Sequence, residues 1–172
     1  YLKIILNHLD SVSLLRVLNF PPRGVGKTSI NKIIDFSKDK KISIFESLDY
    51  VDKISIGISQ KKTLKTFKKN ILDLHKKIEK ESIVNIINDT ISIFNIRDHY
   101  DKQNTSDAHE RWQNIEELIN GMIEYEHDKE NSNLVSFLEE ISLFTDIDKW
   151  NDEIQQVTLM TLHSSKGLEF PI

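Results

Sequence analysis

Cysteine is absent from the 172-residue chain, which excludes a disulfide framework and a thiolate metal site and fits a reducing compartment. No apolar run reaches the roughly 20 residues of a membrane span, and no signal-type N-terminus is present, so the expectation is a cytoplasmic chain with no membrane partner. The histidines, at positions 8, 75, 99, 109, 127 and 163, never fall at the His-x-x-x-His or His-Glu-x-x-His spacing of a metal site, and none is expected. Adjacent carboxylates such as Glu116/Glu117 and Glu139/Glu140 point apart on a helix, which makes them poor partners for acid/base work. Glycine (5) and proline (3) are scarce, so they act here as local punctuation rather than as a linker composition.

What is present is charge and helical periodicity. The length suits about one domain, large enough to bury roughly 70% of its unfolded surface. The net charge of −4 hides an asymmetry: residues 1–80 carry 17 Lys/Arg against 8 Asp/Glu, while residues 81–172 carry 6 against 19. Such a split suits a basic face for phosphates beside an acidic face that repels them, although halves of a sequence need not map to faces.

Apolar spacing predicts helices over 1–9 and 12–20, with Asp10 or Ser11 capping the second and Pro21-Pro22 ending it. Ile30, Ile33 and Ile34 mark a third helix, and Ser43 is placed to cap a short fourth one. The clearest helix covers 61–80, where Leu64, Phe67, Ile71, Leu74 and Ile78 form one stripe and Lys61, Lys62, Lys65, Lys68, Lys69, Lys76 and Lys77 fill much of the remainder. That lysine run suits either steering of a polyanion or simply a solvated face. Helical patterns continue over 82–94, 107–127 and 133–144. Trp112 and Trp150 suit helix cores better than base stacking. Residues 156–162 differ: Val157, Leu159 and Leu162 with Thr158 and Thr161 read as a strand, and a strand without partners is not stable alone. The expected fold class is therefore all-α, a multi-helix unit over 1–155, with one C-terminal strand and turn over 156–172 that belongs to a neighbouring domain. A chain that begins on Tyr1 and ends just after Pro171 is expected to be a piece of something larger.

One segment invites a nucleotide-binding reading. Pro22-Arg23-Gly24-Val25-Gly26-Lys27-Thr28 ends like a P-loop, but the first glycine of that motif is replaced by Pro21, and a helix rather than a strand precedes it. A phosphate clamp between helices fits better: glycines allow close backbone approach, the next helix offers its N-terminal N–H groups, and Arg23 and Lys27 add charge. Contacts of that kind are independent of base sequence and sensitive to salt. The plainer alternative is a tight interhelix turn with no ligand.

The C-terminal run VTLMTLHSSKGLEFPI closely resembles motif V of the UvrD/Rep/PcrA-type superfamily 1 DNA helicases, and residues 1–30 resemble the opening of that family's inserted 2B domain. RWQNIEEL and LEEISLFTDID, at 111–118 and 138–148, fall in the family's order. The resemblance implies a parent enzyme that is an ATP-dependent DNA helicase using ATP and magnesium, active in DNA repair or replication. It also implies that this piece is its 2B subdomain with the first part of motif V, swivelling against the motor domains and inactive by itself. On the same resemblance, the turn Arg23, Gly24, Val25, Gly26, Lys27 and Thr28 touches duplex DNA or a fork junction, Thr161 and His163 lie against the single strand, and Glu169 reaches the ATP ribose. Ser165 stands where many relatives have alanine. The implied partners are DNA, the remaining motor domains, and repair or replication proteins. Two rival readings stay open at this point: a protein-interaction module of a helicase, and the equivalent region of a RecB/AddA-like helicase–nuclease.

Overall fold

The computed structural model describes residues 1–129 and 132–147. The strand expected over 156–162, and with it Thr161, His163 and Glu169, lies outside the described residues, as does Trp150. Within them the fold is all-α. Nine α-helices follow in order: α1 Leu2–Leu6, α2 Ser11–Val17, α3 Lys27–Lys40, α4 Ile44–Ser47, α5 Ile58–His75, α6 Ile83–Ile93, α7 Ile96–Asp101, α8 Ser106–Asp128 and α9 Leu134–Ile147, with a 3-10 segment Leu48–Lys53 after α4.

Local chemistry explains most of the helix starts. Asp10 caps α2 by accepting from the Ser13 N–H at 2.9 Å. Ser43 and Glu46 form a reciprocal capping box on α4, and Thr105 caps α8. At α6, Ser82 accepts from Asn85 N–H, while Glu126, reaching across from α8, accepts from Ile83 N–H. That second bond couples a helix end to a distant helix, and no local pattern announces it.

α5 is the central strut. Leu64, Phe67, Ile71 and Leu74 are all buried, and each contributes about 1.5–3 kcal/mol of apolar burial. They join one core with Ile4 and Ile5 of α1, Leu14 and Leu18 near α2, Ile33 of α3, Ile86 of α6 and Met122 of α8. The helix stops at His75 rather than running to Lys80. Beyond it, Lys77, Ile78 and Lys80 donate to carbonyls three residues back, tightening the chain into a turn, and Lys77 Nζ is tied to Asp89 at 2.5 Å and Glu81 at 3.3 Å. Ile78 still packs against the core from that turn.

Where the end of α5 meets α1 and α4, two histidines distant in sequence come together. The His8 ring stacks on Phe45 with centroids 4.6 Å apart and lies 4.7 Å from His75, whose Nδ1 is 2.7 Å from Ile5 O. His8 Nε2 is buried with no hydrogen-bond partner. Burial, then the neighbouring His75 and Lys68, hold the His8 pKa below its ordinary 6.5. A base whose folded pKa is depressed contributes stability that is full above the unfolded value and lost as pH falls through the folded one. Melting temperature should therefore decline as the pH is lowered below about 6.5. His8→Phe keeps the stack and removes the titrating group, so the variant should melt higher than the wild type at pH 5 and lose less on acidification. An equal decline in both proteins would show that His8 is not the sensitive group.

Candidate nucleic-acid interface

The turn between α2 and α3 is assembled from both sides. The Asn19 side-chain oxygen accepts from Arg23 N–H at 2.8 Å and Val25 N–H at 3.1 Å, folding the chain back after the cis Phe20–Pro21 bond. Gly24 has φ +74°, a conformation that side-chain-bearing residues adopt only with strain. Val25 is fully buried and plugs the turn into the core. From the far side, Gln60 donates to Gly24 O at 2.7 Å while its carbonyl accepts from Gly57 N–H and Ser29 Oγ, both at 3.0 Å. One amide thus joins the turn, α3 and the start of α5.

Of the six turn residues singled out from sequence, Gly24, Gly26, Lys27 and Thr28 are exposed together, whereas Val25 is buried and Arg23 faces inward. The Arg23 guanidinium donates to Val17 O at 2.8 Å and Leu18 O at 3.4 Å, the last carbonyls of α2, and also to the Tyr1 hydroxyl. It lies 5.1 Å from the Phe94 ring centroid and 5.4 Å from that of Phe67. Burial pushes the Tyr1 hydroxyl up to about 12 against the opposing pull of Arg23, so it stays protonated and donates to Phe20 O. Arg23 differs from the expectation because a C-terminal helix end and three aromatic rings offer the cation more than solvent does.

Gly26 is another matter. Its φ of −73° suits any residue, and a Cβ there would meet nothing within 4 Å, so neither conformation nor packing requires glycine. No side chain caps the first turn of α3. With Ser29 N–H and Ile30 N–H on Gly26 O, the N–H groups of Lys27 and Thr28 face solvent beside the Lys27 ammonium. The arrangement presents a positive helix end with open space above it.

The lysine-rich helix divides on inspection. Lys65, Lys68 and Lys76 pair with Asp52, Asp49 and Asp73, so this part of the charge is neutralised within the chain. Trp112 is half-buried, donating to Glu116 at 2.5 Å beneath the Arg97 guanidinium, and is not a free stacking platform. Among the described residues no three His, Asp or Glu side chains gather as a metal site, and no helix is long and apolar enough to cross a membrane.

Asn19 and Gln60 were not evident as site residues from sequence. Gln60 had half a signal, lying three residues after Gly57 as in a capping box; its bond to Gly24 had none. Gln60→Glu keeps both acceptor bonds but sets a carboxylate oxygen against Gly24 O. Loss of that bond should weaken the turn by about 1 kcal/mol, seen as faster hydrogen exchange at the Arg23 and Val25 amides. Unchanged exchange would mean that Asn19 alone holds the turn.

Set beside known families, the whole chain, residues 1–172, matches the UvrD-like helicase C-terminal domain. It is 38% identical over 176 aligned residues to the ATP-dependent DNA helicase PcrA of Staphylococcus aureus, an alignment that covers 100% of this chain and 24% of the relative. The same identity and coverage hold for the PcrA of Staphylococcus epidermidis. The chain therefore spans about a quarter of the length of the curated relatives it matches. A match over every residue, on an all-α scaffold whose glycine turn opens a helix toward solvent, makes this chain a member of the UvrD-like helicase C-terminal domain family.

Proposed function

We propose that this chain is the 2B-like, duplex-gripping and regulatory subdomain of an ATP-dependent DNA helicase of repair or replication, and that the turn from Gly24 to Thr28 is its phosphate clamp. The observation that carries the reading is Gly26: a glycine that the fold does not need, at an uncapped helix start, next to an exposed lysine. Glycine there lets a phosphate reach the Lys27 and Thr28 N–H groups without a side chain in the way. Arg23, Asn19 and Gln60 hold the clamp in shape rather than touch DNA. The likeness to PcrA supports DNA and the other motor domains as partners of the parent.

ATP and magnesium belong, on this reading, to the parent motor. The described residues do not fit a nucleotide: Gly26-Lys27-Thr28 opens α3 behind a helix, without the strand and loop that cradle a triphosphate. Within the C-terminal segment, Glu169 is proposed to meet the ATP ribose, and Thr161 and His163 the single strand.

Titration of the chain with duplexes of unrelated sequence, at rising salt, tests the clamp. Affinity should be the same for each duplex, and its logarithm should fall linearly with the logarithm of salt, by about 0.9 for each phosphate engaged. Absence of duplex binding at low salt would sink the reading.

A further inference from the structure

We propose that the groove beside this turn, between α5 and the corner where α6 meets α7, is a second phosphate site along which the same duplex continues. The proposal rests on the reading of the turn as a duplex contact and extends its footprint. The groove is a cavity of about 570 Å³, and Pro21, Pro22 and Arg23 of the turn form one of its walls. Facing them are Lys62, Thr66 and Asn70 on α5, with Asn95 and Lys102 closing the far side.

Three features give the groove its chemistry. Lys62 and Lys102 are exposed, and among the described residues neither has a carboxylate partner, in contrast to Lys65 and Lys68 on the same helix as Lys62. The amides of Asn70 and Asn95 and the hydroxyl of Thr66 add neutral donors, and the one lining carboxylate is Asp98. Phe67 and Phe94 line the groove from within the core, and its accessible apolar surface is that of Ile93, 39% exposed, of the kind a deoxyribose covers. An anion with hydrogen-bond acceptors on several sides, carried on an apolar link, suits this mixture.

Position connects the groove to the turn. Gln60 touches Gly24 directly at 2.7 Å, so Lys62 begins the α5 wall only two residues from the clamp. From Lys62 to Asn70 the wall runs about 12 Å along the helix, the axial rise of three to four nucleotides of one strand. A backbone seated on Gly26 and Lys27 thus has its next phosphates led past Lys62 and Lys102.

The test uses the 172-residue chain, duplex DNA and fluorescence anisotropy across a salt series, with circular dichroism confirming the fold of each variant. Lys62→Ala combined with Lys102→Ala should weaken duplex binding roughly tenfold at low salt and flatten the salt slope by about 1.8, two contacts at 0.9 each. Asp98→Asn should tighten binding severalfold, a gain that a merely structural role would not produce. Lys65→Ala, on the paired side of α5, should bind as the wild type does. If the double variant keeps the wild-type affinity and slope while Lys27→Glu is impaired, the groove proposal is overturned and the clamp stands. If the double variant is impaired while Lys27→Glu is not, the groove stands and the clamp reading falls. Unchanged duplex binding with lost binding of polyglutamate would overturn the proposal in favour of an acidic protein partner.

Discussion

Arg23→Glu is expected to destabilise the fold and Lys27→Glu to leave it intact, although both exchange a basic residue for an acidic one in the same turn. At Arg23 the guanidinium bonds the Val17 and Leu18 carbonyls and the Tyr1 hydroxyl and lies against Phe67 and Phe94. A carboxylate there faces carbonyl oxygens and aromatic π-clouds, and losing the charged hydrogen bonds alone removes about 1.5–3 kcal/mol. Lys27 is exposed at the first position of α3, where an acidic residue is favoured by the helix dipole, so stability should hold within about 0.5 kcal/mol. The functional order is the reverse in kind. Lys27→Glu should weaken duplex binding and flatten the salt slope by about 0.9 in a chain of unchanged melting temperature. Thermal melts beside a salt series separate the two effects. An Arg23→Glu protein that melts like the wild type, but loses DNA binding, would return Arg23 to the phosphate-contacting set.

Phe67→Ala should give the largest loss of stability of any single truncation considered. Phe67 is 2% exposed, lies at the middle of the α5 stripe, contacts Phe94 with centroids 5.6 Å apart, and supports the Arg23 guanidinium. Truncation leaves a cavity and removes about 3–5 kcal/mol. For a chain of this length the melting temperature should fall on the order of 10 °C. Because Arg23 loses a ring beneath it, the turn above should loosen too, so Val25 and Arg23 amides should exchange faster than in a core variant remote from α5. A fall of less than 2 °C would mean that the site collapses around the smaller side chain.

Periodicity and punctuation determined the helical class, the stripe on α5, the capped starts of α2 and α4, and the presence of a glycine turn after Pro21-Pro22. These are local properties, since a 3.6-residue repeat and a cap are complete within one or two turns of chain. Tertiary structure alone decided the rest. It turned Arg23 inward, because the aromatic rings that receive it come from positions 1, 67 and 94. It placed Gln60 on Gly24, 36 residues away. It paired Lys65 and Lys68 of α5 with Asp52 and Asp49 while leaving Lys62 to the groove, and it set His8 against His75. Whether a cation is a strut, a neutralised surface charge or a free phosphate ligand depends on which distant groups surround it, and packing settles that through burial and nearby charge rather than through spacing along the chain.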